Sequence, residues 1–141
     1  MNLVSSPGSG KTSLVERTIH HNINKFNITV IEGDVQTSFD AESVDAYAVP
    51  VVQIVTQGAC YLEAGLVRNT YTQIENDNYK VLFIENVGNL VCPAGYDIGE
   101  DLKVVIVSTT EGGNKPLKYP AMFRNSSVLI INKINLVPYV K

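Results

Sequence analysis

No apolar run in the 141-residue chain reaches the roughly 18 residues that mark a membrane-spanning helix. The start also lacks the charged and apolar regions of a secretory leader. The expectation is a cytoplasmic protein without a membrane partner. A basic cluster is missing as well, and a net charge of −3 argues against the broad positive face through which proteins hold nucleic acid. Cysteine is scarce: only Cys60 and Cys92 are present, and in a reducing compartment they read as thiols rather than a disulfide. Repeats and low-complexity segments are absent. What remains is one domain's length of chain with 45% hydrophobic residues, enough to form a core.

The stretch Ser5-Ser6-Pro7-Gly8-Ser9-Gly10-Lys11-Thr12 follows the apolar Leu3-Val4 and precedes a helical pattern. Small residues let the backbone fold around phosphate oxygens, with the next helix adding its positive N-terminal end. It reads as a phosphate-binding loop in which Gly8, Ser9, Gly10, Lys11, Thr12 and Ser13 hold a nucleotide. Lys11 is placed on the terminal phosphates and the Thr12 hydroxyl on a magnesium ion. The usual pattern opens with Gly, and Ser5 stands there.

From Thr12 to about Asn24, Leu14, Val15, Ile19 and Ile23 recur at helical spacing. His20 and His21 fall late in that helix, as metal ligands or as partial positive charge at its C-terminus. Ile28 to Ile31 reads as a second strand ending at Glu32-Gly33-Asp34, the edge where open α/β sheets gather ligands. Asp34 there either faces magnesium, directly or through water, or is a turn residue. A loop to Asp40 and a short helix from Ala41 to Tyr47 follow, with Asp40 as its cap. Val51 to Val55 is a third strand, leading through Cys60 and Tyr61 to a helix from Leu62 to Glu75, whose N-terminal field favours the Cys60 thiolate. The strand Lys80 to Ile84 delivers Glu85 to the same edge. Glu85 can hold magnesium through water or orient a nucleophilic water, and the Gly88 N–H can reach a γ-phosphate. Val104 to Val107 and Val128 to Ile131 are the last strands. Between them lie a loop over Thr110 to Pro116 and a short helix from Leu117 to Phe123, interrupted near Pro120.

Asn132-Lys133-Ile134-Asn135 leaves the final strand. In guanine-nucleotide proteins an Asn-Lys-x-Asp run there reads the base, the carboxylate accepting both guanine N–H groups. With Asn135 one of them loses its partner, a cost of about 1–3 kcal/mol.

Together these segments resemble HypB, a family of nickel-incorporation GTPases of NiFe hydrogenase maturation related to UreG. They are Asn2 to Thr12, Glu32-Gly33-Asp34, Glu85-Asn86-Val87-Gly88-Asn89-Leu90-Val91-Cys92-Pro93, Lys115 to Pro120 and Asn132-Lys133-Ile134. The resemblance implies an α/β P-loop NTPase fold, a three-layer sandwich on a mainly parallel sheet, with residues 1–141 forming one GTPase domain. It also implies GTP and Mg2+ as cofactors, with Lys11, Asp34, Glu85 and Gly88 catalytic and Thr12, Asp34 and Glu85 at magnesium. Nickel or zinc is placed on Cys60 and Cys92, with Tyr61 where the family has His. The implied partners are a second copy of the chain, joined under nucleotide and metal, other hydrogenase maturation proteins and a hydrogenase large-subunit precursor. Against the family pattern the chain reads as truncated, beginning on the first strand and stopping at Lys141 before a final strand, helix and base-backing loop. Asn135 leaves two other readings open, a degenerate binding module with little hydrolysis and an ATP-dependent P-loop protein.

Overall fold

The structure is a computed structural model and describes residues 1–35, 48–74 and 78–140. The short β-branched runs become strands β1 (Asn2–Ser5), β2 (Ile28–Asp34), β3 (Val51–Val55), β4 (Val81–Glu85), β5 (Lys103–Ser108) and β6 (Val128–Asn132). They lie side by side in the order β3-β2-β4-β1-β5-β6. Every pairing is parallel, so the expected mainly parallel sheet is parallel throughout. Such a sheet must be covered on both faces. Helix α1 (Lys11–Asn22) packs on one face and α2 (Ala64–Ile74) on the other.

Alternation along the strands decides which side chain meets which helix. Leu3, Val30, Phe83 and Ile106 join Val15 and Ile19 of α1, whereas Ile31, Ile54 and Ile84 join Val67 and Ile74 of α2. A third cluster seats Val4, Val105 and Met122 beyond β1. Because all strands run the same way, the residues that end them share one edge: Ser5, Asp34, Glu85, Ser108 and Asn132.

Several boundaries differ from the sequence reading. Leu62, expected in the second crossover helix, precedes it and is completely buried. The expected loop from Thr110 contains a 3-10 turn, Thr109–Glu111, because Ser108 and Glu111 form a reciprocal capping box. The helix expected from Leu117 to Phe123 is two, α3 (Lys115–Lys118) and α4 (Pro120–Arg124). Pro116 and Pro120 each stand in a first turn, where a missing N–H costs nothing, and Pro120 cannot continue α3. The segment containing the helix expected from Ala41 to Tyr47, and its cap Asp40, lies outside the described residues.

Candidate functional site

The turn between β1 and α1 encloses a cleft of about 440 Å³ lined by Ser5 to Ser13, Glu85, Gly88 and Lys133. Two glycines shape it. Gly10 adopts φ +89°, and a Cβ there would overlap the Asn132 side-chain amide. Gly88 lets its strand end approach Pro7, where a Cβ would stand 3.2 Å from the ring.

The motif after β6 grips this turn from outside. Asn132 Nδ2 donates to Ser9 O at 2.9 Å and Lys133 Nζ to Gly8 O at 2.7 Å. A planar trans peptide points its N–H opposite its carbonyl, so the peptide turning Ser9 O outward turns the Gly10 N–H to the other side. Ser9 Oγ is buried with no hydrogen-bond partner among the described residues, and a buried hydroxyl in that state is stabilised by a polar ligand. Glycines, the Gly10 N–H and an unsatisfied hydroxyl form a cradle suited to phosphate.

Lys11, first in α1, donates to Asn86 O and lies 3.9 Å from Glu85 Oε1. Burial pushes its ammonium pKa down, opposed by the charges of Glu85 and Glu32. Thr12 Oγ1 donates to Glu85 Oε1 at 2.5 Å. Hydroxyl and carboxylate oxygens meeting at the cradle's mouth are the donor set a hard divalent cation such as Mg2+ takes. Glu32, named in the sequence only within the Glu32-Gly33-Asp34 run and given no role at the site, pairs in register with Glu85 and so faces the same side.

Asp34 is on the expected edge, but its Oδ1 turns back to accept the Val35 N–H at 2.5 Å, and it does not line the cleft. Its carbonyl accepts from Thr56 N at 2.8 Å, tying it to the loop that carries Cys60. Asn135 is exposed in the 3-10 turn Ile134–Tyr139. His20 and His21 are in the last turn of α1, with His21 Nδ1 against Arg17 O. Among the described residues no three His, Cys, Asp or Glu side chains group as a metal site.

The two cysteines correct the sequence reading: they are joined as a disulfide, with Cα atoms 6.1 Å apart. A spacing of 32 residues says nothing about proximity. The parallel order supplies it by placing the loops after β3 and β4 at one edge. Nor does a helix start next to Cys60, since α2 begins at Ala64. Tyr61 stacks on Tyr96, ring centroids 4.2 Å apart and planes 9° from parallel. A hydrogen bond with Tyr96 is the main influence raising the Tyr61 phenol pKa, with burial and the charges of Tyr96 and Glu63 adding to it. A raised phenol stays protonated near neutrality and makes a poor metal ligand.

Beneath the cysteines runs a buried polar chain that sequence reasoning missed. Asn86 Oδ1 accepts from Leu62 N at 3.1 Å and Val87 N at 2.9 Å, and its Nδ2 donates to Asn2 Oδ1 at 3.2 Å. Asn2 donates to Glu100 Oε1 at 3.0 Å, and Glu100 pairs with Lys103 at 3.4 Å. Lys103 Nζ also donates to Tyr96 O at 2.7 Å and Pro93 O at 3.3 Å. Burial is the largest single influence on Glu100 and opposes its ionisation. Asn2, the Glu100 and Ile98 backbone N–H groups and Lys103 together outweigh it and hold the carboxyl below its usual range. Asn2 and Lys103 begin strands, Asn86 follows one and Glu100 lies in a loop, so no pattern in the sequence marked them as buried.

A strand, a glycine loop ending in Lys-Thr, and a helix on a parallel sheet, with an acidic residue closing a neighbouring strand, define a P-loop nucleotide-binding domain. The sequence matches the CobW/HypB/UreG nucleotide-binding domain over residues 1–141, and the chain belongs to that family. It is 51% identical to hydrogenase maturation factor HypB of Azotobacter vinelandii over 99% of this chain and 46% of that one. It is 47% identical to HypB of Escherichia coli K12 over 99% and 48%. The chain thus spans about half the length of the curated relatives it matches. Crystal structures of HypB superpose on it closely. That from Archaeoglobus fulgidus gives a TM-score of 0.88 at 38% identity over 99% of this chain and 68% of that one. The Helicobacter pylori protein in complex with nickel gives 0.89 at 39% over 98% and 65%. No helix among the described residues is long and apolar enough to cross a membrane.

Proposed function

We propose that residues 1–141 act as a GTP-binding and GTP-hydrolysing domain that carries nickel for the maturation of NiFe hydrogenase in the cytoplasm. The observation that carries this reading is the convergence of Lys11, Thr12 and Glu85 at one cradle whose backbone is gripped by Asn132 and Lys133. The Gly8 to Thr12 backbone and Lys11 hold the terminal phosphates, and Thr12 with Glu85 holds Mg2+, Asp34 standing nearby on the same edge. Mg2+, when bound, supplies Lewis acidity toward the phosphate oxygens. Glu85 orients the attacking water and the Gly88 N–H meets the γ-phosphate, so rate comes from positioning and charge stabilisation. Turnover is slow.

The cargo site is the reduced pair Cys60 and Cys92, each losing a proton to give a soft thiolate for nickel or zinc. The HypB from Helicobacter pylori was solved in complex with nickel, which supports nickel as the cargo. Two sulfurs rarely close a site, so a two-fold homodimer formed under nucleotide and metal would supply four. Other maturation proteins and a hydrogenase large-subunit precursor are the proposed recipients.

Asn135 favours a second reading, a binding module with weak base selectivity and little hydrolysis. Competition of GTP, XTP and ATP against a fluorescent guanine nucleotide, followed by phosphate release under excess GTP, separates the readings. GTP preference with slow phosphate release supports the first. Equal affinities without release support the second, and ATP preference overturns both.

A further inference from the structure

Cys60 and Cys92 sit on two loops held at opposite ends of the buried chain that runs from Asn86 through Asn2 and Glu100 to Lys103. The Cys60 loop hangs from β4, through the Leu62 N–H on buried Asn86. The Cys92 loop hangs from β5, through buried Lys103 on the carbonyls of Pro93 and Tyr96. Within the second loop Asn89 Oδ1 accepts the N–H groups of Val91 at 2.6 Å and Cys92 at 3.2 Å, and its Nδ2 reaches Cys92 Sγ at 3.4 Å. Each loop is therefore stiff in itself. That chain fixes the loops at their bases, and what keeps their cysteine-bearing parts together once the disulfide is opened lies outside it.

Tyr61 follows Cys60 directly, and Tyr96 follows the 3-10 turn Cys92–Gly95. Their rings stack nearly parallel at 4.2 Å, spanning the two loops that carry the sulfurs. Tyr96 is 49% exposed, so the stack is not a by-product of core packing.

We propose that the Tyr61–Tyr96 stack is the clasp that holds the Cys60 and Cys92 sulfurs within joint reach of one soft metal ion in the reduced protein, with Tyr61 a positioning residue rather than a ligand. The inference rests on the reading of this pair as the cargo site. It gives the residue at position 61 a task that needs no donor atom. An aromatic ring contributes through its face, and a stacked pair is worth about two- to tenfold in an equilibrium. The clasp acts on whatever requires the two sulfurs together. That covers metal capture, and also oxidation by glutathione disulfide, in which the dithiol gives up two electrons and two protons, forms the S–S bond, and releases two glutathione thiols.

The test uses both equilibria. Reduced parent, Tyr61→Phe, Tyr61→Ala, Tyr96→Ala and the double alanine variant are titrated with Zn2+ against a chromophoric chelator. The same proteins are equilibrated with glutathione buffers to read the effective concentration of the dithiol. Tyr61→Phe keeps the ring, loses only the hydroxyl's contact with Tyr96, and lies closer to the parent than to Tyr61→Ala in both. Tyr61→Ala and Tyr96→Ala each lower metal affinity and effective concentration by about two- to tenfold, and the double variant loses no more than either single one, since the clasp breaks once. Parent-like behaviour of Tyr61→Ala overturns the proposal. So does a Tyr61→Phe variant as weak as Tyr61→Ala, because the hydroxyl would then be responsible. A parent that binds no Zn2+ while Tyr61→Ala still lowers the effective concentration overturns the cargo reading and supports the clasp.

Discussion

Thr12 Oγ1 donates to Glu85 Oε1 across 2.5 Å, although the two residues are separated by 73 positions. β1 pairs with β4 in parallel, Leu3 opposite Glu85, so the end of one strand lies beside the loop that follows the other. This contact is where a cation on the phosphates would insert. Replacing Thr12 by Ala removes one oxygen donor and leaves the cradle's backbone intact. The Mg2+ concentration needed for half-maximal nucleotide binding should rise about ten- to a hundredfold, the worth of a hydrogen bond to a charged group. Binding measured in EDTA should not change. Glu85→Gln should raise the same Mg2+ requirement and abolish phosphate release, with nucleotide binding in EDTA again unchanged.

Glu100 gives the structure a dependence on acid. Its folded pKa is lowered, so its ionised form stabilises the fold above the unfolded carboxylate value of about 4.3. That contribution is lost as pH falls from there through the folded value. Thermal unfolding followed from pH 7 downward should show the parent losing stability in that range, with Glu100→Gln losing less. Equal slopes would show that Glu100 is not the group responsible.

Asn135→Asp should raise GTP affinity by about ten- to a hundredfold, the value of restoring an acceptor to a guanine N–H. XTP should lose affinity in the same variant, since its O2 accepts from the amide that Asp lacks. Competition titrations read both changes. An unchanged ratio would place base recognition away from this exposed turn.

The six strands and both crossover helices were legible in β-branched runs and in Val15–Ile19 spacing; burial on both faces demands that apolar continuity of the central strands, while β6 keeps the same apolar run with Val128, Leu129 and Ile131 exposed. The phosphate loop was legible because its chemistry is local in sequence. Asn2, Asn86, Glu100 and Lys103 were not. A polar residue at a strand end looks like surface until its partner, 98 positions away for Asn2 and Glu100, is known to lie beside it. The disulfide was hidden for the same reason. Two loops meet only after the strand order is fixed. Pro120 was read as an interruption of one helix, and the Lys115 capping region shows why it begins another: Tyr119 leaves helical geometry at φ −126°, ψ 52°, as residues before proline tend to.

Lys11 tests the nucleotide site most directly. Its burial lowers its pKa, so the fold disfavours the charged form, and stability in the parent should rise with pH between the folded and unfolded lysine values. Lys11→Met removes that penalty together with the Asn86 hydrogen bond and the Glu85 ion pair, so its melting temperature at pH 7 is read first, to show a folded variant. Calorimetric titration with GTP and Mg2+ should give one nucleotide per parent chain and no detectable binding to this stably folded variant. Triphosphate binding of equal strength in the two proteins would contradict the account.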